Sequence, residues 1–155
     1  MVERLSLTDY KILNYLLEHD IQNYNKMSEK VGIPASTIYD RIKSMRRKGF
    51  LLRLAPVLDL EALGYRVFAA LEVEVHNMRD VDRLKDSLVG NPNVVGLFKM
   101  SGNYDLLVLA LFKSPTELEE LISGLLKRDE VKDVHGNLSI HSYKFSSNPS
   151  ALKED

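Results

Sequence analysis

The chain has 155 residues, no cysteine, 45% apolar and 28% charged residues and a formal net charge of −1. These figures exclude disulfides, thiolate metal sites and cysteine nucleophiles. No apolar run reaches the roughly 18 residues that a membrane-spanning helix needs. No signal-peptide pattern is present, so a cytoplasmic protein with no membrane partner is expected. The length allows one domain or two small ones, and two small ones would lean on self-association for stability.

The near-neutral total hides an asymmetry. Between Tyr24 and Arg53 eight Lys or Arg stand against two acids, Glu29 and Asp40. From Leu63 to Asp155 there are eleven basic and fourteen acidic residues. A basic front segment on a mildly acidic remainder implies a nucleic-acid partner docked through the N-terminal part.

In chain order, Thr8-Asp9 can start a helix with Ile12, Leu13, Leu16 and Leu17 as its apolar stripe. Residues 23–25 offer caps for a second short helix with Met27 and Val31 inward, and Gly32 can end it in the left-handed conformation. A third helix is expected from Pro34-Ala35 to Lys48-Gly49, with Ile38, Ile42 and Met45 on its apolar face. Three short helices with tight turns form a helix-turn-helix unit. Residues 50–58 read as extended, Asp59 to Leu63 as one helical turn, and Gly64 as its close.

The second half alternates differently. Strands are expected over 65–75, 94–101, 104–112 and 131–143, and helices over 81–88 and from Ser114 to about Lys127. Ser114-Pro115-Thr116-Glu117 is a capping box with proline at the first helical position. Gly102-Asn103 is a two-residue hairpin signal. Strand, helix, strand, strand, helix, strand is the ferredoxin-like split order. From Ser146 onward the composition suggests a frayed tail. The fold class expected is α+β: a winged-helix-like helix-turn-helix domain (1–55), a hinge (56–64), a ferredoxin-like domain (65–145) and a tail (146–155).

The third helix carries the functional signal. Ser36, Thr37, Tyr39, Asp40 and Lys43 lie in its N-terminal half, where side chains could reach base edges in a major groove. Arg41, Arg46, Arg47 and Lys48 suit phosphates, which supply affinity without sequence choice. The plain alternative is a solvated helical face. Arg41 has a second role open to it, an ion pair with Asp9 or Asp40. The four histidines show no metal-ligand spacing, so no metal is expected. His135 and His141, six apart on the last strand, would face one side. No nucleophile elbow, P-loop or dinucleotide fingerprint occurs, and no enzyme activity or cofactor is expected.

Taken together, Asp9-Tyr10-Lys11-Ile12-Leu13, Val31-Gly32-Ile33, Ser36-Thr37-Ile38 with Arg41-Ile42, and Gly102-Asn103-Tyr104-Asp105 resemble the Lrp/AsnC family of feast/famine transcription regulators. The likeness covers roughly Leu5 to Lys144. It implies sequence-specific binding of double-stranded DNA by a homodimer, or by a tetramer or octamer built from dimers, and control by an amino acid or similar metabolite. It also implies an effector site formed by Ser101, Gly102, Asn103, Tyr104 and Asp105 with His135, Gly136 and Asn137. A structural reading of the Gly102 turn stands beside this one: a tight hairpin needing positive φ, with Asp105 capping backbone amides. Two departures from the family stand out: Val134 and Gly136 replace threonines, and Pro34 replaces a capping Ser or Thr. Two other functions remain open. One is a tetrapyrrole (sirohaem-type) decarboxylase subunit, which resembles this family in both halves. The other is a metabolite-sensing module that has lost DNA binding.

Overall fold

The computed structural model describes residues 4–19, 23–144, 148 and 151–152. The elements are α1 (Leu7–Glu18), α2 (Tyr24–Val31), α3 (Ala35–Arg47), β1 (Val67–Val75), α4 (Asp80–Val89), β2 (Val94–Lys99), β3 (Leu106–Phe112), α5 (Pro115–Leu126) and β4 (Val131–Leu138). The chain divides into two compact units, one of Met1–Val57 with Lys144–Asp155 and one of Leu58–Tyr143.

In the first unit α1 starts before Thr8, because Ser6 is its N-cap. The Asp9 N–H donates to Ser6 Oγ at 3.3 Å, while Asp9 Oδ2 accepts from the Ser6 N–H at 2.9 Å and the Ser6 hydroxyl at 2.6 Å. This reciprocal box satisfies two donors that the first helical turn leaves orphaned. Asn23 caps α2 through the Asn25 N–H at 2.8 Å, and Gly32 ends it at φ 69°. A Cβ in that left-handed region costs about 1–2 kcal/mol, so glycine belongs there. Pro34 precedes α3 and provides no side-chain cap.

Ile38, Ile42 and Met45 of α3 bury against Ile12, Leu13 and Met27, forming the core of this unit. Each such side chain contributes about 1.5–3 kcal/mol by leaving water. The stripe at spacings of four and three therefore fixes which face of α3 remains outside. After α3, residues 51–59 form neither helix nor strand. Residues 146, 147, 149, 150 and 153–155 of the expected frayed tail lie outside the described residues. At Leu152 the tail is held: its N–H donates to Asn14 Oδ1 at 2.7 Å, its carbonyl accepts from Asn14 Nδ2 at 3.0 Å, and its side chain packs on the core.

The second unit opens with the expected turn at Asp59, closed by Gly64 at φ 89°. Its four antiparallel strands lie in the order β2-β3-β1-β4, the ferredoxin-like arrangement. Alternation along β1 sends Ala69, Leu71, Val73 and Val75 into a core shared with Val81, Leu84 and Leu88 of α4 and Leu118 and Leu125 of α5. Both helices therefore cover one sheet face. Ser114 caps α5 by accepting from the Glu117 N–H at 3.4 Å, but the Glu117 carboxylate reaches back to the Lys113 N–H at 3.0 Å rather than to Ser114.

Two expectations need correction. The last strand stops at Leu138 instead of Tyr143: its pairing with β1 ends at Ala69 opposite Leu138, with the Ser139 N–H to Phe68 O bond as the last rung, and in this register residues 141–143 would run past Val67, where β1 begins. His141 therefore lies outside the strand and does not share a strand face with His135. The β2–β3 connection is a four-residue loop closed by the Met100 N–H to Asp105 O bond at 2.9 Å, not a two-residue hairpin. Gly102 has no positive φ, since the longer loop closes without left-handed residues.

Candidate functional site

The outer face of α3 is built by subtraction. With Ile38, Ile42 and Met45 turned inward, Ser36, Tyr39, Asp40, Arg41, Lys43, Arg46, Arg47 and Lys48 are exposed, and Thr37 is half-buried. Residues 36, 39, 40 and 43 fall at helical spacings of three and four and so share one flank. Arg46 and Arg47 follow in the last turn. Among the described residues no ion pair neutralises Lys43, Arg46 or Arg47. Arg41 differs. Its Nη1 lies 3.5 Å from Asp9 Oδ2 and 3.4 Å from Ser6 Oγ, so the residue ties α3 to the N-terminus of α1. Of the two acids it could have met, Asp9 holds it and is itself buried.

In the second unit the sheet face opposite the helices is set by register. Phe98, Leu107, Glu72 and His135 form one cross-strand row; Gly96, Leu109, Ala70 and Asn137 form the next. Polar groups collect at one end of this face. The Tyr104 ring lies 5.6 Å from His135 across β1, and His135 Nδ1 lies 3.5 Å from Asp133 Oδ2. Lys132 Nζ sits 2.6 Å from Glu74 Oε1, and this hydrogen bond, with the Glu74 charge, holds the ammonium above its ordinary pKa.

The structure thus brings Tyr104, His135 and Asn137 onto one face, and leaves Ser101, Gly102 and Asn103 exposed on the adjoining loop. It does not bring Gly136 there. Gly136 sits in the row with Leu71, on the helix-covered side, where an added Cβ would come 3.0 Å from Ile122 Cδ1. Asp105 is committed to the fold: its carboxylate accepts from the Val75 N–H at 2.8 Å and its own N–H donates to Val73 O at 3.0 Å. It caps β1 rather than its own turn. Glu72, Glu74, Lys132 and Asp133 also belong to this face and were not singled out from sequence, because only the pairing register shows which strand positions share it. Among the described residues no group of three or more His, Asp or Glu could hold a metal ion. Among the described residues no helix is long and apolar enough to cross a membrane.

A family model described as the Lrp/AsnC ligand binding domain matches residues 66–149, and one described as winged helix-turn-helix DNA-binding matches residues 5–51. Among curated proteins, the chain is 25% identical over 138 residues to an uncharacterised HTH-type transcriptional regulator of Pyrococcus furiosus, covering 88% of this chain and 91% of the relative. It is 27% identical over 150 residues to the glutamate uptake regulatory protein of Zymomonas mobilis, covering 95% and 91%. Among solved structures, a Neisseria meningitidis transcriptional regulator in complex with L-Met superposes with a TM-score of 0.86 at 23% identity, covering 97% of each chain. AsnC of E. coli gives 0.84 at 18% identity, covering 94% of this chain and 99% of the other.

Proposed function

We propose, from the premise that the chain belongs to the Lrp/AsnC family of DNA-binding transcription regulators, that it reads duplex DNA with the outer face of α3 and answers to an amino acid held on the open face of its sheet. The observation that carries this reading is the exposed run of Lys43, Arg46 and Arg47, in no ion pair among the described residues, beside the exposed Ser36, Tyr39 and Asp40. Ser36, Thr37, Tyr39, Asp40 and Lys43 would meet base edges, and Arg46, Arg47 and Lys48 phosphates. Arg41 would act mainly by fixing α3 against α1, since Asp9 and Ser6 already engage its guanidinium.

Self-association is the second part. The open sheet face carries Phe98, Leu107, Leu109, Phe68 and Ala70, with Phe98 about half exposed. An apolar face of this kind gains by pairing with a second copy. A homodimer then presents two copies of α3, whose half-sites would fall about one helical turn apart. Tetramers or octamers would arise from further pairing of dimers. The effector would contact Tyr104, His135, Asn137 and the Ser101–Asn103 loop, with Gly136 and Asp105 supporting that arrangement from within the sheet. A carboxylate suits the imidazole and the loop amides, and an ammonium suits Glu72 or Asp133. The L-Met complex and the glutamate uptake regulator among the similar proteins support the amino-acid class. Binding would shift the balance among assemblies by no more than its differential affinity for them.

The similar proteins named as transcriptional regulators support a regulator rather than an enzyme, and a DNA-binding role supports a cytoplasmic location. Selecting bound fragments from random duplex DNA, with and without a panel of amino acids, tests both halves. The expected result is a two-fold-symmetric preferred sequence whose occupancy changes with one or a few amino acids. Fragments with no shared sequence would overturn the reading.

A further inference from the structure

Helix α3 exposes one large aromatic side chain on its flank: Tyr39, 51% accessible. It does not stand alone. Tyr24, the first residue of α2, packs against the core of the helix-turn-helix unit. Its ring lies 5.9 Å from that of Tyr39 at an interplanar angle of 85°, edge to face. Asn23 caps α2 immediately before Tyr24, and Met27, one turn later, is buried. Tyr24 is therefore a ring rooted in the core that supports a ring reaching into solvent.

A half-exposed tyrosine on a helix ordinarily divides its time among χ1 rotamers. An edge-to-face partner favours the one rotamer in which the contact is made. We propose that Tyr24 is a positioning residue for sequence readout: through this ring contact it presets the direction of Tyr39, so that Tyr39 meets one base-pair edge without first losing rotamer freedom. The inference rests on the reading of α3 as the DNA-facing helix. Tyr39 shares its flank with Ser36 and Lys43, at offsets of three and four. A ring fixed there offers carbon atoms to a thymine methyl and a hydroxyl to a polar base edge. Left free, it would pay the ordering cost at each encounter and adapt to more than one base pair. Tyr24 itself need not touch DNA, and the ring contact does not use its hydroxyl.

The test uses the full chain, a duplex recovered by selection, and a panel of single base-pair substitutions in that duplex. Tyr39→Ala marks the base pairs that Tyr39 discriminates. Tyr24→Leu is expected to weaken discrimination at those same base pairs, on the order of threefold to tenfold, the range an aromatic pair commands. The dependence of affinity on salt should stay as in the wild type, because no phosphate contact is lost. Tyr24→Phe should behave as the wild type, and Tyr24→Leu with Tyr39→Ala should match Tyr39→Ala alone. Circular dichroism melting separates loss of folding from loss of readout; if Tyr24→Leu melts below the assay temperature, Tyr24→Met, flexible and apolar, takes its place. Wild-type preference at the marked base pairs in the Tyr24 variant, or an equal loss on every duplex, overturns the positioning role. A wild-type chain that selects no preferred duplex overturns the reading of α3 itself, and this inference with it.

Discussion

Replacing Asp9 with alanine is the sharpest test of how the helix-turn-helix unit is held together. Asp9 is buried, and its Oδ2 accepts from the Ser6 N–H, the Ser6 hydroxyl and Arg41 Nη1. The two effects differ in size. Loss of an N-terminal cap costs about 0.5–2 kcal/mol, and a hydrogen bond to a charged group about 1.5–3 kcal/mol. The Arg41 pair is long, at 3.5 Å, and the Arg41 side chain is about half exposed, so it contributes at most about 0.5 kcal/mol. Asp9→Ala is therefore expected to cost about 2 kcal/mol, nearly all from the capping box. Arg41→Ala should cost at most about 0.5 kcal/mol, and Ser6→Ala about 1 kcal/mol. For a unit of this size 2 kcal/mol lowers the midpoint by about 10 °C. Thermal unfolding followed by circular dichroism, at low and high salt, reads the difference. The reasoning fails if Arg41→Ala proves as damaging as Asp9→Ala, or if added salt erases the Asp9→Ala effect.

Gly136→Val should destabilise the sheet unit by about 1–3 kcal/mol through overpacking against Ile122, whereas His135→Ala should leave the melt unchanged and weaken the response to the effector; the opposite pattern would place Gly136 in the site. Asn14→Ala removes both bonds to Leu152 and is expected to lower stability by about 1–2 kcal/mol in urea titration, with no loss if the tail were unattached. At the α5–β4 corner, Glu130 sits below the ordinary carboxyl value of 4.5, chiefly through a hydrogen bond from its own backbone N–H and then through Arg128. Its folded form thus binds protons less readily than its unfolded form, so its contribution is present above pH 4.5 and fades as pH falls through the lowered value. Glu130→Gln should flatten the acid end of a plot of urea midpoint against pH; an unchanged acid limb would refute this.

Much of the fold was legible in the sequence because the residues that carry it act locally. Gly32, Ser114 and the stripe of Ile38, Ile42 and Met45 announce their roles through backbone preference, capping and helical period, and the structure uses each of them so. Strand ends were less legible. β4 cannot run to Tyr143 because in its register residues 141–143 pass the start of β1 at Val67, a fact of pairing that no property of those residues records. The same holds for the open sheet face. Tyr104 and His135 meet across β1, a strand far earlier in the sequence than either, and the polar neighbours Glu72 and Asp133 join them by register alone. Gly136 adjoins His135 and Asn137 in the sequence, but strand alternation turns it to the other side of the sheet. Tyr24 was invisible for a similar reason: its contact depends on how α2 crosses α3. Ser6 was legible in principle, since Ser6 and Asp9 form the spacing of a capping box, but Thr8-Asp9 offered a competing start.

Titrating a selected duplex against the chain over a range of salt concentrations tests the claim that the outer face of α3 meets DNA. Each phosphate contact contributes about 0.9 to the slope of log affinity against log salt. Arg46→Gln with Arg47→Gln removes those contacts from both copies of α3 in a dimer and is expected to reduce that slope by roughly 3.6 while leaving the preferred sequence the same. A slope equal to that of the unaltered chain would contradict the account.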